Sequence, residues 1–155
     1  MKKLRLFKWK KSRLFYVYFI LMLLLYFVYA SLDIYRFNPN RALLNGHLTQ
    51  EDITKFSKLA NWTSGLEIMF IALFLLVMMI CCFKREFKVV KDFLLINITL
   101  FTVIAISSYI LFLITPSPMG NLLEPLILPI YLIGALLIYM LWLFKKQNNL
   151  KNIST

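Results

Sequence analysis

The sequence is poor in the residues that do most protein chemistry. Histidine occurs once, at His47, and cysteine only as the adjacent pair Cys81 and Cys82. Metal sites draw on several His, Cys or carboxylate ligands at set spacings, so no metal and no cofactor is expected. Neighbouring cysteines rarely form a strain-free bond, and no second pair is present for thiol exchange. Glycine is also scarce, at 4 residues, which leaves few flexible turns. Acids number 7 against 18 Lys and Arg, and charged residues make up only 16% of the chain.

What fills the space is apolar. Hydrophobic residues are 61% of the sequence and the mean hydropathy is +0.74. Soluble domains run nearer 45–50% apolar. A soluble chain of about 150 residues still exposes roughly 30% of its unfolded surface, so it could not hide this much apolar area. The bilayer is the solvent that fits.

Four apolar runs predict four spanning helices: residues 14–32, 66–83, 93–115 and 126–144. A span needs about 20 residues to cross roughly 30 Å of hydrocarbon. The runs lack the regularly spaced polar residues that a soluble bundle carries on its outer face. Glu67 is the one formal charge inside them, and it sits one residue from an end. The first run follows a basic start, as a secretory signal does. It is longer than the 7–15 apolar residues of such a segment, and no small-residue cleavage pair follows.

The excess of cations predicts threading rather than nucleic-acid binding, which would need a folded basic domain. Seven Lys/Arg precede the first run, and Lys84, Arg85, Lys88 and Lys91 crowd the connection 84–92. Lys145, Lys146 and Lys151 lie in the tail 145–155. Fourteen of the basic residues thus fall on one side and four on the other. The positive-inside rule puts both termini and the 84–92 loop in the cytoplasm of a cell membrane, against anionic headgroups. Cys81 and Cys82 then face a reducing compartment.

The longer outer connection, 33–65, begins with Asn-Pro and Asn-Gly turn steps. Thr49 then reads as an N-cap with acids in the first turn. A short amphipathic helix is expected over 50–61, lying on the outer surface, with Gly65 turning the chain into the second span. Ile53, Phe56, Leu59 and Trp62 are its candidate docking surface. The other outer connection, 116–125, holds no cation. Of two glycosylation-pattern sites, Asn97 falls inside a span and Asn61 close to one.

Two sets of residues remain. On the third span, Asn97, Ala105, Ser108 and Thr115 fall within about 80° of one another at 100° per residue. That small, polar face suits helix–helix contact in lipid. Glu67 and Glu124 are the ionisable candidates. Both sit near outer helix ends, whereas a coupling carboxylate belongs nearer the midplane. Glu124 before Pro125 reads as a helix start, with proline at the first position and an acid at the positive end of the dipole.

The sequence thus predicts an all-α integral membrane protein, one domain of 155 residues. It is a four-helix transmembrane bundle with N- and C-termini inside. Missing chemistry and one structured outer loop point to a non-enzymatic accessory or interaction protein, such as an immunity-type protector or a complex subunit. Its partner would be a membrane protein or a second copy. The first rival is a small transporter or channel-forming oligomer using Glu67 and Glu124. The second is an integral membrane enzyme, which would need clustered His, Asp or Cys. The richness in Ile, Leu, Phe, Lys and Asn suggests a bacterial gene.

Overall fold

The computed structural model describes residues 2–37, 50–115 and 117–153, with side chains over 13–36, 50–51, 53–115 and 117–145. The turn-rich segment 38–49, with His47 and the Thr49 cap, lies outside the described residues. Four helices follow one another: α1 (Lys2–Phe37), α2 (Gln50–Phe83), α3 (Phe87–Ile114) and α4 (Met119–Ile153). Each is long and apolar enough to cross a membrane.

The helices outrun the apolar runs. At 1.5 Å per residue, the 36 residues of α1 reach about 54 Å, against a hydrocarbon layer of about 30 Å. Lys, Arg, Glu and Gln are good helix formers, so the backbone ladder continues past the point where the sequence turns polar. For that reason the expected separate helix over 50–61 is not separate. It forms the first turns of α2, which runs unbroken to Phe83. Gly65, expected to turn the chain, sits in that helix with open space around its Cβ position. The 84–92 loop likewise shrinks to a turn before Phe87, and most of the expected tail belongs to α4. Arg85 takes up this turn in the left-handed region, at φ 48°, and donates its N–H to the Cys82 carbonyl at 3.1 Å.

The start of α4 needs a larger correction. Glu124 and Pro125 do not begin it; the helix opens at Met119, with Pro125 and Pro129 inside. The carbonyl of Pro118 accepts the N–H groups of Asn121 and Leu122, so Pro118 serves as the entry. Glu124 is therefore past the first turn, where the dipole favours an acid. Pro125 has no N–H to give the Asn121 carbonyl four residues back. The Tyr29 hydroxyl donates to that carbonyl instead, at 2.7 Å.

Inter-helix contacts fix the arrangement. Tyr18 and Tyr26 of α1 meet Asn97 and Ser108 of α3 in the same order along both helices, so these two run parallel. The Tyr139 hydroxyl of α4 reaches the Cys82 carbonyl of α2 at 3.4 Å, and Glu124 lies near Glu67. Each pair is 57 positions apart, so α2 and α4 are parallel too. The bundle is up-down-up-down, with α1 against α2 and α3 against α4 as its most extensive packings. One end bears the α1–α2 and α3–α4 connections; the other bears the basic turn.

Buried positions recur every three or four residues. On α1 they are Phe15, Tyr18, Met22, Tyr26, Tyr29 and Asp33. On α4, Leu122, Pro129, Leu136 and Leu143 repeat at seven. A seven-residue repeat is the mark of left-handed bundle packing. Phe93 is the hub, with ring centroids 6.4 Å from Phe15, 5.8 Å from Tyr18 and 5.7 Å from Phe74. Phe74 in turn lies 6.2 Å from Phe101. Aromatic pairs at such separations add about 0.5–1.5 kcal/mol beyond area burial.

Candidate functional site

Polar side chains gather in two places. The first is the seam between α1 and α3. Tyr18 donates to Asn97 Oδ1 at 2.6 Å, and Asn97 Nδ2 donates to the Phe93 carbonyl at 2.8 Å. Higher up, Tyr26 and Ser108 share a hydrogen bond of 2.6 Å. Ser108 spends its only proton on the Ile104 carbonyl at 2.9 Å, so Tyr26 is the donor. Both relays start at a tyrosine and end on an α3 carbonyl, so each proton finds an acceptor. With no water in the hydrocarbon, such pairing is obligatory.

Of the small, polar face expected on the third span, the structure brings only Asn97 and Ser108 into this seam. Ala105, at the edge of the sector, is exposed. Thr115 ends α3, its hydroxyl and its N–H both given to the Leu111 carbonyl. Thr99 and Thr102 point outward and satisfy themselves on the carbonyls of Leu95 and Ile98. A face read at 100° per residue is only as wide as one partner helix, which is why its rim fell outside.

The second place is the connection-bearing end. Asp33, Tyr29 and Arg36 come from α1, Glu67 from α2, and Asn121 and Glu124 from α4. Glu67 and Glu124, 57 positions apart in the sequence, are brought within electrostatic reach of one another. Tyr29 and Asp33 feel Glu124 as well, and Arg36 lies close enough to offset part of the Asp33 charge. The Asn121 side chain lies near the Asp33 carboxylate. Asp33 is 1% exposed, yet its Oδ2 has no hydrogen-bond partner among the described residues; Ser117 Oγ, also 1% exposed, shares that condition. Glu124 is exposed and Glu67 half-buried.

The sequence reading missed Tyr18, Tyr26, Tyr29, Asp33, Ser117 and Asn121. Asp33 was assigned to a loop because it ends an apolar run. Its spacing could have revealed it, since Asp33 continues the three-and-four stripe of Tyr26 and Tyr29. The four candidate docking residues all lie on the N-terminal part of α2, ahead of its apolar run. Ile53 and Trp62 are 51% and 69% exposed, while Phe56 and Leu59 are half-buried.

These features define a helical bundle with four membrane-length helices, a paired polar seam and an acidic end. Comparison with protein-family models, curated proteins and solved structures finds no match to this chain.

Proposed function

We propose that the chain is a small, non-enzymatic accessory protein of a cell membrane that works by contact with another membrane protein. An immunity-type protector or a subunit of a larger complex would behave this way. The observation that carries the reading is the filled bundle centre. Met22, Tyr26, Phe70, Phe74, Phe93, Leu100 and Ile104 are fully buried there, and Tyr18, Tyr26, Asn97 and Ser108 are paired. A carrier that rocks about a midplane site needs polar, water-lined space at that depth. The contact would use the exposed Ile53 and Trp62 on the extension of α2, outside the cell when the basic ends lie inside.

A second reading, a small transporter or channel-forming oligomer, is favoured by the gathering of Asp33, Glu67 and Glu124 at one end. One experiment separates the two. The protein is purified in mild detergent from its own host, alongside Trp62→Ala and Glu124→Gln variants. Contact with a partner predicts a stoichiometric membrane protein that is lost with Trp62→Ala and kept with Glu124→Gln. Isolation without a partner, together with ion flux in liposomes that Glu124→Gln or Glu67→Gln abolishes, would establish the transporter. Orientation is tested by cysteine labelling in a Cys81→Ser, Cys82→Ser background. Lys88 should be shielded from outside and Gly120 should label.

A further inference from the structure

The cross-helix contacts also fix heights along the bundle, and the four apolar runs do not line up. Those of α1 and α3 agree. Tyr18 meets Asn97, and Tyr26 meets Ser108, at 2.6 Å each. The runs 14–32 and 93–115 both begin four residues before the first pair and end six or seven after the second. The runs of α2 and α4 are displaced toward the basic end. Tyr29 bonds to the Asn121 carbonyl. From that height α1 stays apolar for three more residues, while the α4 run opens five residues the other way, at 126. The step is about 12 Å at 1.5 Å per residue. Phe74 lies 5.7 Å from Phe93 and 6.2 Å from Phe101, so it stands midway, at the height of Asn97. Toward the connection-bearing end the α2 run extends eight residues from Phe74, and the α3 run eighteen from Asn97. That step is about 15 Å.

The basic end mirrors this. The rings of Phe87 and Phe144 are 5.5 Å apart, so α4 is still apolar six residues below the start of the α3 run at 93, or about 9 Å. Long side chains lean toward the start of their own helix, which in these antiparallel contacts makes the true step larger. The surface shows it at both ends. Exposed Ile110 and Leu113 of α3 share a height with exposed Asn61 and Lys58 of α2. Exposed Lys88 and Lys91 of α3 share one with exposed Leu141 and Trp142 of α4.

The belt common to all four helices therefore spans about twelve residues, or roughly 18 Å, against about 30 Å of hydrocarbon. Tilting does not level it. Neighbouring helix axes lie about 8–10 Å apart, so an average tilt of about 20° shifts one against the next by only about 3–4 Å.

We propose that the bundle thins the bilayer around itself and takes lipids with short acyl chains as its neighbours. Headgroups and water of one leaflet follow α2 and α4 inward at the connection-bearing end; those of the other follow α1 and α3 at the basic end. The proposal rests on the reading of the chain as membrane-spanning, and it holds for either orientation.

The test reconstitutes the full chain in dimyristoleoyl-, dioleoyl- and dierucoyl-phosphatidylcholine and reads its thermal unfolding temperature in each. The temperature should be highest in the shortest lipid and fall by several degrees to the longest, because each ångström of mismatch carries a cost. Ser64→Leu with Glu124→Leu, both at exposed positions, lengthens the α2 and α4 belt and should move the optimum to the dioleoyl lipid. Spin labels placed singly at Ile110 and Asn61, in the same cysteine-free background as above, read the step directly. Oxygen should reach the first label and a water-soluble nickel chelate the second. An optimum in dioleoyl lipid for the unaltered chain would overturn the proposal, as would an optimum that the double variant leaves unmoved or two labels in one environment. In each of those cases the chain would still be a membrane protein. Release from the vesicles by alkaline carbonate would remove the membrane reading itself, and the proposal with it.

Discussion

The α1–α3 seam and the connection-bearing end are built from similar residues and finished differently. In the seam, Tyr18 and Tyr26 each reach a partner that passes its own proton to a backbone carbonyl. At the end, Tyr29 is matched in the same way to the Asn121 carbonyl, but Asp33, one turn further along α1, and Ser117 keep atoms without a partner among the described residues. The contrast follows the environment. Mid-bundle polar groups have only each other, and an unpaired one there would cost the full desolvation penalty. Groups near an end of the bundle lie closer to water and other polar groups. Satisfied pairs hold a bundle together; unmatched groups near a surface are where a ligand can act.

The largest expected effect tests the packed bundle centre, around which the seam runs, as the seat of stability. Phe74 is fully buried against Phe93 and Phe101. Phe74→Ala should cost about 3 kcal/mol, the lower range for truncating a buried aromatic, read as a drop in thermal unfolding temperature in detergent. A loss below about 1 kcal/mol would mean that the centre is not well packed.

Next in size is the Tyr18–Asn97 pair. Asn97→Leu leaves the Tyr18 hydroxyl without its acceptor and should cost about 1–2 kcal/mol. Adding Tyr18→Phe should restore most of that loss, because removing both partners is nearly neutral where removing one is not. Independent, additive costs would show the pair to be uncoupled.

Tyr29→Phe should cost about 1 kcal/mol by leaving the Asn121 carbonyl unmatched. In a Pro125→Ala background the cost should shrink, since residue 125 then has an N–H for that carbonyl. The same penalty in both backgrounds would remove the substitute-donor explanation.

The smallest effect is expected at Asp33, and it sharpens the contrast most. Asp33→Asn removes a buried carboxylate whose Oδ2 has no donor among the described residues. Stability should hold or rise, by about 1 kcal/mol or less. A clear loss would mean that Asp33 is a structural partner like Asn97.

Four membrane-length helices were legible in the sequence because burial in lipid needs only length and uniform apolarity. The identity of the inward faces was not. In lipid both faces of a helix are apolar, so the three-and-four stripe of Phe15, Met22 and Tyr26 is masked by Tyr16, Ile20 and Leu24, which are exposed. Polar residues gave a partial signal. Asn97 and Ser108 were found on one face, but Thr99 and Thr102 proved equally polar and self-satisfied.

Composition and hydropathy by themselves determined the number of helices, the apolar stretch inside each and the clustering of cations at one end of the bundle. These are one-dimensional quantities, read along the chain. Only the tertiary structure decided that Gln50–Phe83 is one helix and that α4 opens at Met119. It alone supplied a tyrosine for the carbonyl that Pro125 leaves free, and gathered Asp33, Glu67 and Glu124 from three helices. Such groupings depend on which turn of one helix meets which turn of another. That register is set by side-chain packing between residues tens of positions apart, where the order of the sequence carries no sign of it.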